Sequence, residues 1–250
     1  MDERCDWNLL VSALCRQLDE WPLGKWFTIE ELASCSPDIE CDEDGEQYTV
    51  AGVERPFSYI DVDDAETEVL DYAEGKGLFV EEDLSKGISL REYVDTAKEF
   101  DFDEIESFSL TYEVALRLGG QSEARYDGDT LEIAPVCPDI TGFSGRSVQM
   151  DAGKKERLRD LMEEAGVRSW ARDYQPDDIV LDGWGWALTI RFKNGKVFAS
   201  EGMNAWPETL GFFWEGLFDI VGIKVPSGDD KPEWVCHLVG EDREREYPSD

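Results

Sequence analysis

The sequence predicts an α+β fold in two parts for this chain of 250 residues. Segments with apolar residues three or four positions apart, typical of helices, alternate with short segments in which every second residue is apolar, typical of strands. The chain is 41% apolar, with nine Trp, twelve Phe and eight Tyr, so it can fill a hydrophobic core. A segment rich in Pro, Gly and small residues, 135–146, separates two sets of such elements.

This separation predicts four regions. We expect an acidic α+β interaction region at 1–134, a linker at 135–146, a small α-β-β-α module at 147–225 and a C-terminal extension at 226–250. Limited proteolysis is expected to cut first in the linker.

The first region is predicted to begin with a helix that faces the core, because its apolar residues recur on one helical face. These residues are Trp7, Leu10, Val11, Leu14, Leu18 and Trp21. Asp6 is placed to cap this helix and Pro22 to end it. The segments TIEE (28–31) and SLRE (89–92) have the spacing of a capping box, so we expect a short helix at each.

Strands are predicted where polar and apolar residues alternate and β-branched or aromatic residues are frequent. The predicted strands are QYTVAGV (47–53), FSYIDV (57–62), SFSLTYEVALRL (107–118) and TLEIAPV (130–136). Segment 64–74 is predicted to be a helix.

In the second part, Asp151 is placed to cap a helix that carries Leu158, Leu161, Met162 and Ala165 inward. Gly166 supplies a left-handed end to that helix, and the apolar Val167 follows it.

A β-hairpin is predicted in WGWALTIRFKNGKVFASEG (184–202). A two-residue turn at Asn194-Gly195 would place Phe192 opposite Val197 and Ile190 opposite Ala199. The buried face would carry Trp184, Trp186, Leu188, Ile190 and Phe192. Pro207 is predicted to open a last helix, which covers the sheet with Leu210, Phe213, Trp214, Leu217 and Val221.

The net charge of −34 is concentrated in the first 146 residues, which contain 37 Asp and Glu against 11 Lys and Arg. Such charge repels nucleic acid and anionic membranes and attracts basic partners. The chain has no apolar run long enough for a membrane span, and its N terminus does not resemble a signal peptide. We therefore expect a soluble, cytoplasmic protein.

The acidic segment ECDEDGEQYTVA (40–51) is a candidate calcium-binding loop, because Glu40, Asp42, Asp44 and Gly45 loosely follow the spacing of an EF-hand loop. The twelfth position is Ala51 and not Glu, so an acidic loop between a short helix and a strand is predicted instead. The six cysteines form no CxxC pair and the single histidine, His237, adjoins only Cys236, so neither zinc nor a disulfide framework is expected.

The second part resembles a small α-β-β-α module of bacterial proteins, over residues 148–221. The matching residues are Asp182, Gly183, Trp186, Asn194, Gly195, Gly202, Asn204, Ala205 and Pro207. This resemblance implies a fold and no activity. The segment 202–207 is interpreted as a loop that leads from a strand to a helix, with a ligand-binding loop as the alternative.

Residues 23–108 resemble the ArdA-type antirestriction family, whose members are acidic proteins that imitate DNA. The similar segments are LGKWFTIEELASC (23–35), PFSYIDVDDAE (56–66) and GISLREYVDTAKEFDFDEIESF (87–108). The resemblance implies that the chain binds a nucleic-acid-binding enzyme such as a restriction system.

Charge density is consistent with that implication. Duplex DNA carries roughly one charge per 1.7 Å of its axis, so the net charge of −26 of the first 146 residues would imitate about 44 Å of duplex. The candidate partner-binding residues are Asp42, Glu43, Asp44, Asp61, Asp63, Asp64, Glu66, Glu68, Asp101, Asp103, Glu104 and Glu106.

The sequence has none of the common nucleophile, phosphate-loop, zinc-protease or dinucleotide motifs, so we predict no catalytic residue, no cofactor and no metal. Two alternatives to the DNA mimic remain. One is an interaction or scaffold protein whose charge only keeps it soluble. The other is a hydrolase with a carboxylate pair that no motif identifies.

Overall fold

The computed structural model describes residues 3–114, 121–135, 145–176 and 184–224. The chain divides into two compact units, Met1–Tyr93 and Val94–Asp250, called unit 1 and unit 2 below. Both units contain helices and strands, so the fold is α+β as predicted. No helix among the described residues is both long and apolar enough to cross a membrane.

Unit 1 combines short helices with two small antiparallel sheets. Its helices are α1 (Glu3–Glu20), α2 (Ile29–Cys35), α3 (Tyr59–Asp64) and α4 (Glu66–Gly75). One sheet contains β1 (Ile39–Cys41), β2 (Gln47–Val50) and β3 (Phe57–Ser58), and the other contains β4 (Leu78–Asp83) and β5 (Gly87–Glu92).

The helix α1 buries Leu10, Leu14 and Leu18, which confirms its predicted core-facing side. Asp6 does not cap it, because the helix begins three residues earlier at Glu3 and encloses Asp6 as a buried residue. The capping box at Thr28 is confirmed: Glu31 N donates to Thr28 Oγ1 at 3.2 Å, and Thr28 N donates to Glu31 Oε2 at 3.1 Å.

Two predictions in unit 1 are wrong. The SLRE segment is part of strand β5 and not a helix start, because Ser89 is fully buried opposite Glu81 and Ile88 exchanges backbone hydrogen bonds with Phe27. The FSYIDV segment is a strand only at Phe57–Ser58. Ser58 then caps α3 in a second capping box, so the chain turns into a helix where alternation predicted a strand.

Unit 2 is built on a seven-stranded sheet of order β10-β12-β11-β6-β7-β8-β9. Its strands are β6 (Ile105–Val114), β7 (Gln121–Tyr126), β8 (Thr130–Pro135), β9 (Arg146–Gln149), β10 (Asp173–Tyr174), β11 (Trp184–Phe192) and β12 (Val197–Met203). Neighbours are antiparallel except β10 and β12. The helices α5 (Ala152–Glu164) and α6 (Leu210–Val221) complete the predicted α-β-β-α order.

The boundary between the units differs from the predicted one. The strands β6–β8 were assigned to the acidic first region, but β6 pairs with β11 along its length, with Leu110 opposite Leu188. This pairing puts them in unit 2 and moves the boundary to Tyr93/Val94. Residues 136–144 of the predicted linker and all of 226–250 lie outside the described residues.

The core of unit 2 contains the inner face of the sheet together with α5 and α6. The predicted inward residues of both helices are buried. Asp151 caps α5 by accepting from Lys154 N at 2.9 Å, and Gly166 follows the helix with φ 65°, as predicted. The helices approach closely at Gly216, where a Cβ would lie 2.3 Å from Leu161 Cδ1.

The hairpin exists, but its register differs by one residue. Arg191 and not Phe192 lies opposite Val197, and Ile190 lies opposite Phe198. The reason is a three-residue loop in which Gly195 has φ 82° and Phe192 N donates to Lys196 O at 3.0 Å. The predicted inner face is buried from residue 186 to 192; the side chain of Trp184 is outside the described set.

The loop after β12 has a structural role. Trp186 Nε1 donates to Ala205 O at 2.8 Å, and a Cβ on Gly202 would lie 2.3 Å from that same oxygen. Only glycine therefore fits at this position. The helix α6 begins at Leu210 and not at Pro207, whose carbonyl accepts from Leu210 N at 3.0 Å.

Candidate acidic binding surface

Four carboxylates from four different elements of unit 1 interact through their charges. Burial raises the pKa of Glu66 in the first turn of α4, and the charges of Asp63 in α3, Glu82 in β4 and Glu30 in α2 raise it further. We call Glu30, Asp63, Glu66 and Glu82 the acidic cluster. Burial and these like charges together make the ionised state of Glu66 less favourable than in the unfolded chain.

No Lys or Arg in the part of the chain that the structure describes forms an ion pair with a member of the acidic cluster. Four cations of unit 1 pair with carboxylates outside it: Arg16 with Asp38 at 2.8 Å, Lys76 with Asp19, Lys86 with Asp83 at 3.3 Å and Arg91 with Glu81 at 2.7 Å. The charge of the acidic cluster is therefore not compensated by an ion pair among the described residues.

The predicted binding residues in α3 and α4 divide into two groups. Asp63 and Asp64 are exposed, whereas Asp61 accepts from Ser58 N at 2.7 Å and from Ser58 Oγ at 2.8 Å. The exposed Glu68 accepts from Trp7 Nε1 at 2.7 Å. Asp61 and Glu68 therefore stabilise unit 1, and Asp63, Asp64 and Glu66 are the members of this set that a partner can reach.

The acidic loop after β1 is a hairpin turn, so the chain enters it from a strand and not from the expected short helix. Asp42 Oδ1 accepts from Glu46 N at 2.9 Å and from Gln47 N at 3.2 Å, and Gly45 has φ 74°. Glu43 and Asp44 are exposed at its tip. Within the described residues, no three His, Cys, Asp or Glu side chains are arranged to hold a metal ion.

The remaining four predicted residues lie in unit 2, where cations accompany them. Asp101 accepts from Asp103 N at 2.9 Å and caps a short 3₁₀ turn, Phe102–Glu104. Asp103 lies 3.7 Å from Arg159, and Glu104 lies 3.9 Å from Lys193. Glu106 is exposed on β6. The structure therefore splits the twelve predicted residues between the units.

Glu30 and Glu82 were missed by the sequence prediction. Glu30 looked like the ordinary acidic residue of a helix first turn, and Glu82 like a polar position in an acidic segment. Their role depends on tertiary packing, because α2 packs on α3 and α4 packs on β4. No local sequence signal identifies such neighbours.

Unit 2 has an open cleft of about 730 Å³ beside α5. Its walls carry four exposed carboxylates, Asp103, Glu106, Asp127 and Glu156, together with Lys and Arg side chains. A hydrolytic general acid needs a raised pKa, which burial normally supplies. Hydrogen bonds from the backbone N–H groups of Asp129 and Thr130 instead lower the pKa of Asp127. Asp127 therefore does not have the raised pKa of a general acid.

Comparison with known proteins does not assign a family. No protein-family model and no curated protein matches the chain. Among solved structures, the chain is similar to the possible transcriptional regulator YydK from Bacillus subtilis, with 12% sequence identity and a TM-score of 0.11, over 60% of this chain and 84% of that chain. At that TM-score the likeness carries no argument about fold or function.

Proposed function

We propose that unit 1 binds a basic surface of another protein through the acidic cluster and the exposed carboxylates next to it. The observation that carries the proposal is that Asp63, Glu82 and Glu30 lie close enough to Glu66 for their charges to add to the burial that raises its pKa. None of the four has an ion pair among the described residues. The partner class we propose is a nucleic-acid-binding enzyme of the cytoplasm, such as a restriction enzyme, whose DNA-binding surface the protein occupies.

Charge density supports this partner class. Unit 1 contains 25 Asp and Glu residues against 7 Lys and Arg residues, a net charge of −18. Duplex DNA carries roughly one charge per 1.7 Å of its axis, so this net charge corresponds to about 31 Å, or about nine base pairs. A groove built for DNA would gain from counterion release when it binds unit 1, and this gain weakens with added salt.

Clustering also favours binding over solubility as the purpose of the charge. Carboxylates that serve solubility alone can be scattered, which keeps their mutual repulsion small. The acidic cluster instead places three carboxylates where their charges, added to burial, raise the pKa of Glu66, so that ionised Glu66 destabilises the folded unit. Violations of local stability of this kind are expected at functional sites.

The test is inhibition of a panel of type I and type II restriction enzymes, with DNA cleavage measured at about 50 mM and about 200 mM salt. The cluster variant combines Glu30→Gln, Asp63→Asn, Glu66→Gln and Glu82→Gln. A matched control changes Glu20, Glu40, Glu54 and Glu74, four exposed acids of unit 1 without an ion pair among the described residues, to Gln.

The wild type and the control should inhibit at low salt, and the cluster variant should inhibit at least about tenfold less, with a smaller salt dependence because fewer counterion-linked contacts remain. If the cluster variant and the control lose inhibition equally, the total charge of unit 1 matters and the position of the carboxylates does not. Absence of inhibition by the wild type, together with absence of competition with DNA at low salt, would overturn the proposal.

A further inference from the structure

Two large apolar side chains are exposed side by side at the start of α3. Tyr59 is 54% exposed and Ile60 is 53% exposed, whereas Val62 and Ala65, which follow in the same segment, are fully buried. Leaving both exposed has no packing benefit within unit 1. Exposed apolar residues that adjoin each other and are bordered by polar groups are typical of protein interaction sites.

The border of this pair is acidic. In a helix, residues four apart lie on the same face, so Tyr59 adjoins Asp63 and Ile60 adjoins Asp64. Both aspartates are exposed, and Asp63 belongs to the acidic cluster. The surface therefore has an apolar centre beside carboxylates that no described cation neutralises.

We infer that Tyr59 and Ile60 are the apolar anchor with which unit 1 docks into a hydrophobic pocket bordered by Lys and Arg on its protein partner. This inference rests on the proposed function and specifies the chemistry of the partner. Interfaces commonly combine a buried centre, in which Tyr is enriched, with a charged rim that excludes water. The anchor would supply the affinity that charge alone gives poorly at physiological salt.

Charge complementarity favours a basic protein partner over the other molecules that could cover this surface. A second copy of the chain seated on the same surface would bring Asp63 and Asp64 against their own equivalents. Nucleic acid and anionic membranes carry the same sign of charge as the aspartates and are repelled in the same way.

The anchor is held ready for binding. Ser58 and Asp61 form the capping box that fixes the first turn of α3, with Ser58 N 2.7 Å from Asp61 Oδ2. Because Tyr59 and Ile60 are in that turn, their backbone is ordered before a partner arrives. Less conformational entropy is then lost on binding.

The first experiment uses two synthetic peptides of equal charge, one in which Lys pairs flank Leu-Phe-Leu and one in which they flank Ser-Gly-Ser. We expect the apolar peptide to bind the full chain about tenfold more tightly. In a methyl-labelled sample, the Ile60 methyl signal should shift on its addition. The buried Ile29, Ile39 and Ile88 of unit 1 are internal controls whose signals should stay in place.

The second experiment compares Tyr59→Ser/Ile60→Ser with Leu84→Ser, an exposed leucine in the β4–β5 turn. The double variant should lose the preference for the apolar peptide and Leu84→Ser should keep it. Unchanged Ile29 and Ile88 signals verify that the double variant is folded.

The outcomes separate the two proposals. If the wild type binds both peptides equally, Tyr59 and Ile60 are not an apolar anchor. The same holds if the apolar peptide binds without shifting the Ile60 signal. In both cases the charge-based function stands. If the cluster variant binds the Lys-containing peptides as tightly as the wild type does, the proposed charge-based function is overturned. A concentration-dependent dimer that the double variant abolishes would make a second copy the occupant and overturn the inferred partner.

Discussion

Unit 1 has 25 acidic and 7 basic residues among 93, whereas unit 2 has 33 acidic and 17 basic residues among 157. In unit 2, cations link distant parts of the chain: Lys196 pairs with Glu99 at 2.8 Å and Lys155 with Asp129 at 3.5 Å. In unit 1, the cations pair away from the acidic cluster. Both units therefore keep a net negative charge, −18 in unit 1 and −16 in unit 2, but only in unit 1 does a cluster of carboxylates lie outside the described ion pairs.

The cores differ as well. Unit 2 packs aromatic rings edge to face between its helices and sheet, with the Trp170 ring 5.8 Å from both Trp186 and Phe213. Unit 1 packs mostly aliphatic side chains around Phe27 and Phe57. We therefore expect unit 2 to respond most strongly to changes in packing, and unit 1 to be distinguished by its response to changes in charge.

The largest expected effect tests the packing of unit 2. Phe213 is fully buried in α6, and its neighbour Phe212 is 45% exposed. Phe213→Ala should lower the free energy of unfolding of unit 2 by about 3–5 kcal/mol, and Phe212→Ala should lower it by less than about 1 kcal/mol. Urea titration, combined with amide hydrogen exchange in each unit, measures both. Similar losses in the two variants would contradict the described orientation of α6.

The next effect tests a backbone contact in unit 1. Gly87 has φ 90°, and a Cβ there would lie 2.2 Å from Phe27 O. Because Phe27 O is held by a hydrogen bond from Ile88 N and cannot move aside easily, Gly87→Ala should lower the free energy of unfolding of unit 1 by about 1–3 kcal/mol. Gly75→Ala is the control, since no atom lies within 4 Å of its added Cβ. Thermal unfolding should show a lower Tm for Gly87→Ala alone.

Local sequence signals predicted most helices and strands, but not which of these elements pair or pack with one another. The helix α5 was predicted with its cap at Asp151, because capping and apolar periodicity act within a few residues. The boundary between the units was misplaced, because the pairing of β6 with β11 joins segments more than 70 residues apart. The SLRE segment satisfied the capping-box spacing, yet the strand pairing of β5 overrode it.

The candidate site was predicted only in part. Composition identified the exposed Asp63 and Asp64 and the half-buried Glu66, but it could not distinguish them from Asp42 and Asp61, whose oxygens are used in a turn and a cap. A carboxylate that stabilises its own backbone and one that faces a partner look alike in sequence. The distinction requires hydrogen-bond partners, which only the fold defines.

A smaller effect concerns a carboxylate of unit 1 that does have partners. Hydrogen bonds from the hydroxyl and the backbone N–H of Ser85, together with Lys86, lower the pKa of Asp83 from 3.8 to about 2. Its folded pKa is below the unfolded value, so its contribution to stability is present above pH 3.8 and is lost as the pH falls toward 2. Carboxyl NMR titration should give a midpoint near that lowered value. Ser85→Ala should raise the midpoint more than Lys86→Ala does; the reverse order would show that charge dominates.

The smallest effect concerns a carboxylate of unit 1 without such partners, and its sign is opposite. The pKa of Glu66 is raised above its ordinary value of 4.5 by burial and by its acidic neighbours, so ionised Glu66 destabilises the folded unit at neutral pH. Glu66→Gln should therefore increase the free energy of unfolding at pH 7 by about 0.2–0.5 kcal/mol, the size of a like-charge pair on a helix. The increase should disappear as the pH falls through the raised pKa, because wild-type Glu66 is then protonated, and it should shrink in high salt. Glu43→Gln removes the same charge at the exposed β1–β2 turn and is the control. If it stabilises unit 1 as much as Glu66→Gln does, the repulsion belongs to the net charge of the unit, and the contrast between a clustered and a scattered surface fails.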